Sequence, residues 1–139
     1  MIISLFIKLA AGRCAQDDWS CELEVAESMT LDDLHYAIQN VVAFDNDHLY
    51  AYFIARKVFG SKRAMIDDED ELENTSIAAL FPLPKDRKLF YWFDFGDDWM
   101  FQISRSRKKP REPLPGRHYP FIVSESGNKP EQYPGDEEW

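Results

Sequence analysis

Three carboxylates crowd one short stretch of this sequence: Asp94, Asp97 and Asp98, around Gly96 and ahead of Trp99. Like charges this close repel, and an acid beside apolar rings loses hydration, so something must compensate them. A divalent cation would do so, because hard cations take oxygen ligands; Asp94, Asp97 and Asp98 are then the candidate metal ligands. Backbone N–H groups would do so too, since Asp in a turn bonds its own main chain, and this is the simpler reading. A divalent metal is therefore the one cofactor the residues suggest, and none is assigned. His35 and His48 offer nitrogen to a mixed His/carboxylate site. No His pair falls at i, i+4 on one helix, however, and an imidazole satisfied by its surroundings is the simpler alternative.

A second group is basic: Arg105, Arg107, Lys108, Lys109 and Arg111. Such a run holds phosphates, and nearby Trp and Tyr stack bases, so nucleic acid is one candidate partner. It equally offsets the acidic stretch 67–73 or the acidic C-terminal residues. Asp94-Phe95-Gly96 spells the magnesium motif of kinases, but the glycine-rich loop, strand lysine and catalytic loop are absent. No nucleophile–base–orienter set, phosphate loop or dinucleotide fingerprint occurs, so no catalytic residue is assigned.

The elements that carry these groups follow from periodicity. Ile3, Leu5, Ile7 and Leu9, then Trp19, Cys21, Leu23 and Val25, recur at a period of two. They predict two strands over 2–10 and 19–26, joined as a hairpin. Thr30 followed by Asp33 reads as a capping box, with Met29 and Leu34 placed as a hydrophobic staple. Leu31, Leu34, Ile38 and Val41 predict a helix over 30–43 with one apolar stripe. Residues 48–55, apolar on both faces, predict a covered strand. The acidic segment 61–75 reads as a solvated loop, followed by a short helix at 76–81 that Pro82 and Pro84 stop.

Residues 88–95 and 98–107 read as a second hairpin around Gly96-Asp97. That turn pairs Asp94 with Trp99 and puts Phe90, Trp92, Asp94, Trp99, Phe101 and Ile103 on one face. Beyond Lys109 the prolines forbid a long helix, so 110–139 is expected to wrap over the body, with a short edge strand at Tyr119–Val123. Tyr119, Phe121, Ile122 and Tyr133 are expected to find dry positions, and Asp136–Trp139 to fray.

The sum is one α+β domain over 1–139: about five strands in a mixed or antiparallel sheet, one main helix across it, an arrangement like a β-grasp. Composition agrees, with 139 residues, 45% hydrophobic and 14% aromatic. The net charge of −9 argues against wholesale nucleic-acid binding. No apolar run is long enough to cross a bilayer, so no membrane partner is expected. Met1–Lys8 holds its charge within the apolar stretch, unlike a secretory leader, and two Cys seven apart fit no disulfide scaffold; a cytoplasmic monomer or weak dimer is expected.

Three segments then form a pattern. Leu34-His35-Tyr36-Ala37-Ile38-Gln39, Asp47-His48-Leu49-Tyr50 and Tyr91-Trp92-Phe93-Asp94-Phe95-Gly96-Asp97-Asp98-Trp99 occur in order, ahead of a close from Tyr119-Pro120 through Gly127-Asn128-Lys129-Pro130-Glu131-Gln132-Tyr133. This resembles the plasmid open-reading-frame-three-like family, also labelled insertion-element passenger proteins of TnpR type. The resemblance implies a compact prokaryotic α+β domain without an established activity, linked to mobile elements. Members commonly carry His two residues after the Trp of the Gly-Asp-x-Trp motif; here that position is Phe101, which weakens any carried-over metal role. The label suggests a recombinase, but Ser4 sits in an apolar strand and no helix-turn-helix follows.

The expected role is a non-catalytic binding module for a protein or small ligand, using Asp94 and Trp99 with His35, His48 and Trp92. The rivals are a metal-dependent hydrolase or nuclease using the Asp cluster, and a nucleic-acid-binding accessory protein using the basic run.

Overall fold

The computed structural model describes residues 1–60 and 62–133. In chain order it contains β1 (Ile2–Ala11), β2 (Trp19–Ala26), α1 (Leu31–Val42), β3 (Tyr50–Ala55), β4 (Ala64–Ile66), α2 (Glu69–Asn74), a 3-10 turn (Ile77–Leu80), β5 (Lys88–Phe93), β6 (Trp99–Arg105) and β7 (Phe121–Gly127). The strands form one seven-stranded sheet in the order β4-β3-β5-β6-β1-β2-β7. Every neighbouring pair is antiparallel. The α+β class and the helix across one face stand. Of the mixed or antiparallel alternatives the sheet is antiparallel, and the five-strand count and the β-grasp arrangement are corrected. Two edge strands account for the count: β4 has only three residues, and β7 lies among prolines.

Why α1 starts where it does is local chemistry. Thr30 Oγ1 accepts from the Asp33 N–H at 3.1 Å, and the Asp33 carboxylate accepts from the Thr30 N–H at 3.3 Å. Leu31, Leu34, Ile38 and Val41 then bury against Leu5, Leu23, Tyr91 and Phe101 on the covered face of the sheet. The helix ends at Ala43, which takes the left-handed conformation with φ 58.

The acidic stretch holds more than a loop. Asp68 caps α2 through the Glu71 N–H at 3.1 Å, and Glu69, Asp70 and Glu71 fill its first turn. Carboxylates there complement the positive end of the helix dipole, so a charge run that looks like a solvated loop is also a good helix start. Leu72 and Ile66 supply the buried contacts that fix the segment to the core, while the carboxylates stay exposed.

The β5–β6 hairpin differs from expectation by one residue. Phe93 pairs with Trp99, Tyr91 with Phe101 and Leu89 with Ile103. The connection is therefore Asp94–Asp98, with Asp94 at φ 64 and Asp98 at φ 53. Asp accepts the left-handed region more readily than most residues, and two such positions close a five-residue loop in place of a two-residue turn. The Asp98 N–H donates to the Asp94 carbonyl at 2.6 Å and seals it. A slip of one residue moves a strand's side chains to the other face. Trp99, Phe101 and Ile103 thus join the helix-side core with Leu89, Tyr91 and Phe93, while Phe90 and Met100 belong to a second apolar cluster with Trp92 packed against it.

The described part of the tail pairs β7 with β2, but not all its apolar groups become dry. Arg117 lies over the Phe121 ring at 4.0 Å. Ile122 and Val123 remain 42% and 44% exposed on the outer strand β7. Positions 134–139, including the expected fraying end, lie outside the described residues.

Candidate functional site

At the end of the sheet where β5 turns into β6, the Asp94 carboxylate is 5% exposed. Its Oδ1 accepts from the N–H groups of Gly96 at 3.0 Å and Asp97 at 3.2 Å, and Oδ2 lies 3.3 Å from His48 Nε2. The Asp94 N–H donates to the Leu49 carbonyl at 3.0 Å. Local main chain and one imidazole therefore share this acid. The acid–indole contact at this hairpin joins Asp98 to Trp92, whose Nε1–H donates at 3.0 Å. The Trp99 Nε1 is buried with no partner among the described residues. Asp97 gives its carbonyl to the Arg13 N–H at 2.7 Å. Among the described residues, no three His, Cys, Asp or Glu side chains converge as a metal ion would require.

His48 has further neighbours. Tyr133 OH lies 2.9 Å from its Nε2 and donates to Asp47 Oδ2 at 2.7 Å. Gln132 donates to Asp47 Oδ1 at 2.8 Å, while its own Oε1 accepts from the Asp45 N–H at 2.7 Å. Partial desolvation opposes the Asp47 charge, yet the bonds from Tyr133 and Gln132 hold its carboxyl below the usual range. The same bond pushes the Tyr133 hydroxyl up to about 12. Gln132 and Tyr133 thus latch the chain's C-terminal segment onto the turn before β3.

His35 belongs to a separate, closed circuit. Its Nε2 faces Asn46 Oδ1 at 2.7 Å and its Nδ1 faces Tyr91 OH at 2.5 Å. Gln39 Nε2 donates to Tyr91 OH at 3.0 Å, and the Asn46 N–H donates to Gln39 Oε1 at 3.0 Å. One polarity satisfies every atom: Gln39 to Tyr91, Tyr91 to His35 Nδ1, His35 Nε2–H to Asn46, and Asn46 back to Gln39. The neutral ring stacks on Tyr50 at 3.7 Å between centroids. Burial pushes its pKa below 6.5. Because the unfolded chain takes up a proton there and the folded one does not, folding stability is expected to fall as pH drops below about 6.5. Comparing urea unfolding of wild type and His35→Gln between pH 7 and 5 checks this; an equal slope in both proteins would contradict it.

The basic run divides. Arg105 ends β6, and Arg107 and Lys109 are partly or fully exposed beyond it. Lys108 Nζ lies 3.7 Å from Glu22, and Arg111 bonds to Ser4 at 2.8 Å and to Glu24. Arg111 thus fastens the segment after β6 to β1 and β2.

The sheet's second face supplies a surface that sequence reading missed. The loop after β3 covers one side of it, where Arg63 lies 4.4 Å over Phe53. The Arg111 segment covers the other. Between them Phe90, Gln102, Lys8, Ser20 and Ser126 stand directly opposite one another on β5, β6, β1, β2 and β7. This row spans roughly 19 Å, at about 4.8 Å per strand. Its short polar side chains leave a trough with two adjoining cavities of about 590 and 460 Å³. Lys8, Ser20, Gln102 and Ser126 line both, and Lys57 and Lys88 line the larger. The only local signal was Phe6 and Lys8 alternating against the apolar face of β1.

A family model described as plasmid pRiA4b ORF-3-like protein matches residues 14–137. The chain belongs to that family. Its expected membership stands, and the family is one of unknown function. No curated protein matches the chain. The crystal structure of a protein of unknown function, MM3350 from Methanosarcina mazei Go1, is similar with a TM-score of 0.69 and 22% identity, over 89% of this chain and 68% of that one. At that identity the likeness shows the shared fold. No described helix is long and apolar enough to cross a membrane.

Proposed function

We propose that this ORF-3-like protein is a non-catalytic binding module whose ligand surface is the trough on the open face of the sheet. The observation that carries this reading is the contrast between the two sites. At the hairpin end, Asp94, Asp47, His48 and Tyr133 are engaged with one another and with main chain. In the trough, Lys8, Lys57 and Lys88 make no ion pair among the described residues, and a volume of about 590 Å³ falls within the ~300–1,000 Å³ of small-ligand sites. The family description names a plasmid open reading frame, which supports an association with mobile elements. The free thiols Cys14 and Cys21 support a reducing, cytoplasmic setting.

The test sets the two ends of the molecule against each other. Pyrophosphate or citrate is expected to raise the thermal midpoint of wild type and of Phe95→Asp, at the hairpin loop, but not of Ser20→Trp, which fills the trough. A rise that survives Ser20→Trp and disappears in Phe95→Asp would move the ligand surface to the hairpin.

A further inference from the structure

The trough is not uniformly charged. Its larger cavity is lined by three lysines, Lys8, Lys57 and Lys88, and by one acidic residue, Asp18. Its smaller cavity holds Glu22 beside Lys8, while Glu125, opposite Cys21, turns its carboxylate to the covered face, where it accepts from the Trp19 Nε1–H at 2.9 Å. Glu22 is met by Lys108 at 3.7 Å, so this half is near neutral. Positive charge is therefore concentrated at one place instead of running as a stripe.

We propose that the larger cavity binds the phosphate of a small phosphorylated molecule, whose neutral hydroxylated body lies along the smaller one; this deepens the open-face reading and rests on it. Lysines from three elements, β1, the loop after β3 and the start of β5, meet there as compact point charges. That arrangement suits one multiply charged group better than the planar fork of an arginine does. Ser20, Ser126 and Gln102 line both cavities and supply neutral donors and acceptors where phosphate and body would join. Ser104 and Ser124 continue the hydroxyl lining of the smaller cavity, and Phe6, 44% exposed, offers it a ring face. A nucleic-acid strand crossing the same face would carry its later phosphates past Glu22, already paired with Lys108, where no excess of cation receives them. A chain with net charge −9 also repels a long polyanion more than a small one.

Calorimetric titration of the whole chain separates the cases, using ribose 5-phosphate, ribose, citrate and a ten-residue oligothymidylate as probes. Ribose 5-phosphate is expected to bind at least about tenfold more tightly than ribose. Lys8→Gln and Lys88→Gln are each expected to weaken ribose 5-phosphate by about tenfold, with Lys109→Gln outside the trough as the unchanged control. Circular dichroism confirms that each variant is folded, as expected for exposed lysines. Lysine-dependent binding of citrate without binding of ribose 5-phosphate overturns the phosphate assignment while the open-face reading stands. Tighter binding of oligothymidylate than of ribose 5-phosphate does the same in favour of nucleic acid. Binding that ignores Lys8 and Lys88, or no binding of any probe, removes both.

Discussion

Trp99→Ala is expected to lower folding stability by about 3–5 kcal/mol, the range for deleting a large aromatic from a packed core. The indole is fully buried and opens β6. Its ring packs at 5.1 Å from that of Phe44, just after α1. It also explains Gly12: a Cβ there would lie 2.8 Å from Trp99 Cε3, so only glycine lets the β1–β2 loop close over the ring. The same indole leaves its Nε1–H without a partner among the described residues. An unpaired buried donor costs free energy, and Phe removes it while keeping most of the apolar volume. Trp99→Phe should therefore cost much less than Trp99→Ala. Urea unfolding of the three proteins checks the order. Equal losses would mean that the ring's volume is not what the core requires.

The second large effect concerns Glu24, which is 8% exposed. Its Oε1 accepts from Arg117 at 3.0 Å and its Oε2 from Arg111. The main chain of Arg111 meets Ile2 in both directions, at 2.6 and 3.0 Å. Glu24→Gln keeps the shape but leaves two guanidinium groups without their counter-charge. Removing one partner of a buried pair costs ~3–5 kcal/mol. Since these guanidinium groups are 34% and 31% exposed, water compensates part of that. A loss of about 2–3 kcal/mol is expected. Amide exchange should quicken selectively around Arg111.

The acid limb of stability carries the same pair. Desolvation raises the Glu24 pKa, but the bonds from Arg111 and Arg117 outweigh it and hold the carboxyl below its ordinary 4.5. A depressed folded value contributes stability that is present above the unfolded pKa and is lost as pH falls through the folded one. Between pH 5 and 2 wild type should therefore lose stability more steeply than Glu24→Gln. Parallel curves would show that the clip contributes nothing to acid sensitivity.

What the sequence disclosed follows from the range of each signal. The strand alternation at Ile3–Leu9 and Trp19–Val25, and the Thr30–Asp33 cap, are local, and they appear in β1, β2 and α1 as read. The β5–β6 register depended on whether Asp94 and Asp98 would enter the left-handed region, which a Gly-Asp pair between them concealed. Helix α2 was hidden because its capping and dipole-complementing carboxylates are also the composition of a solvated loop. No local signal separated the two imidazoles: His48 lies beside Asp94, whereas His35 entered a circuit of its own with Tyr91, Gln39 and Asn46. The trough could not be seen in advance. Phe90, Gln102, Lys8, Ser20 and Ser126 come from five strands, and only the sheet order makes them neighbours.

The open face as ligand surface is tested most directly by amide chemical-shift mapping during titration with pyrophosphate. The account predicts that the largest shifts fall at Lys8, Ser20, Lys88, Gln102 and Ser126, with Asp47, Asp94 and Asp97 unmoved. Shifts confined to the hairpin end, or none anywhere, would contradict it.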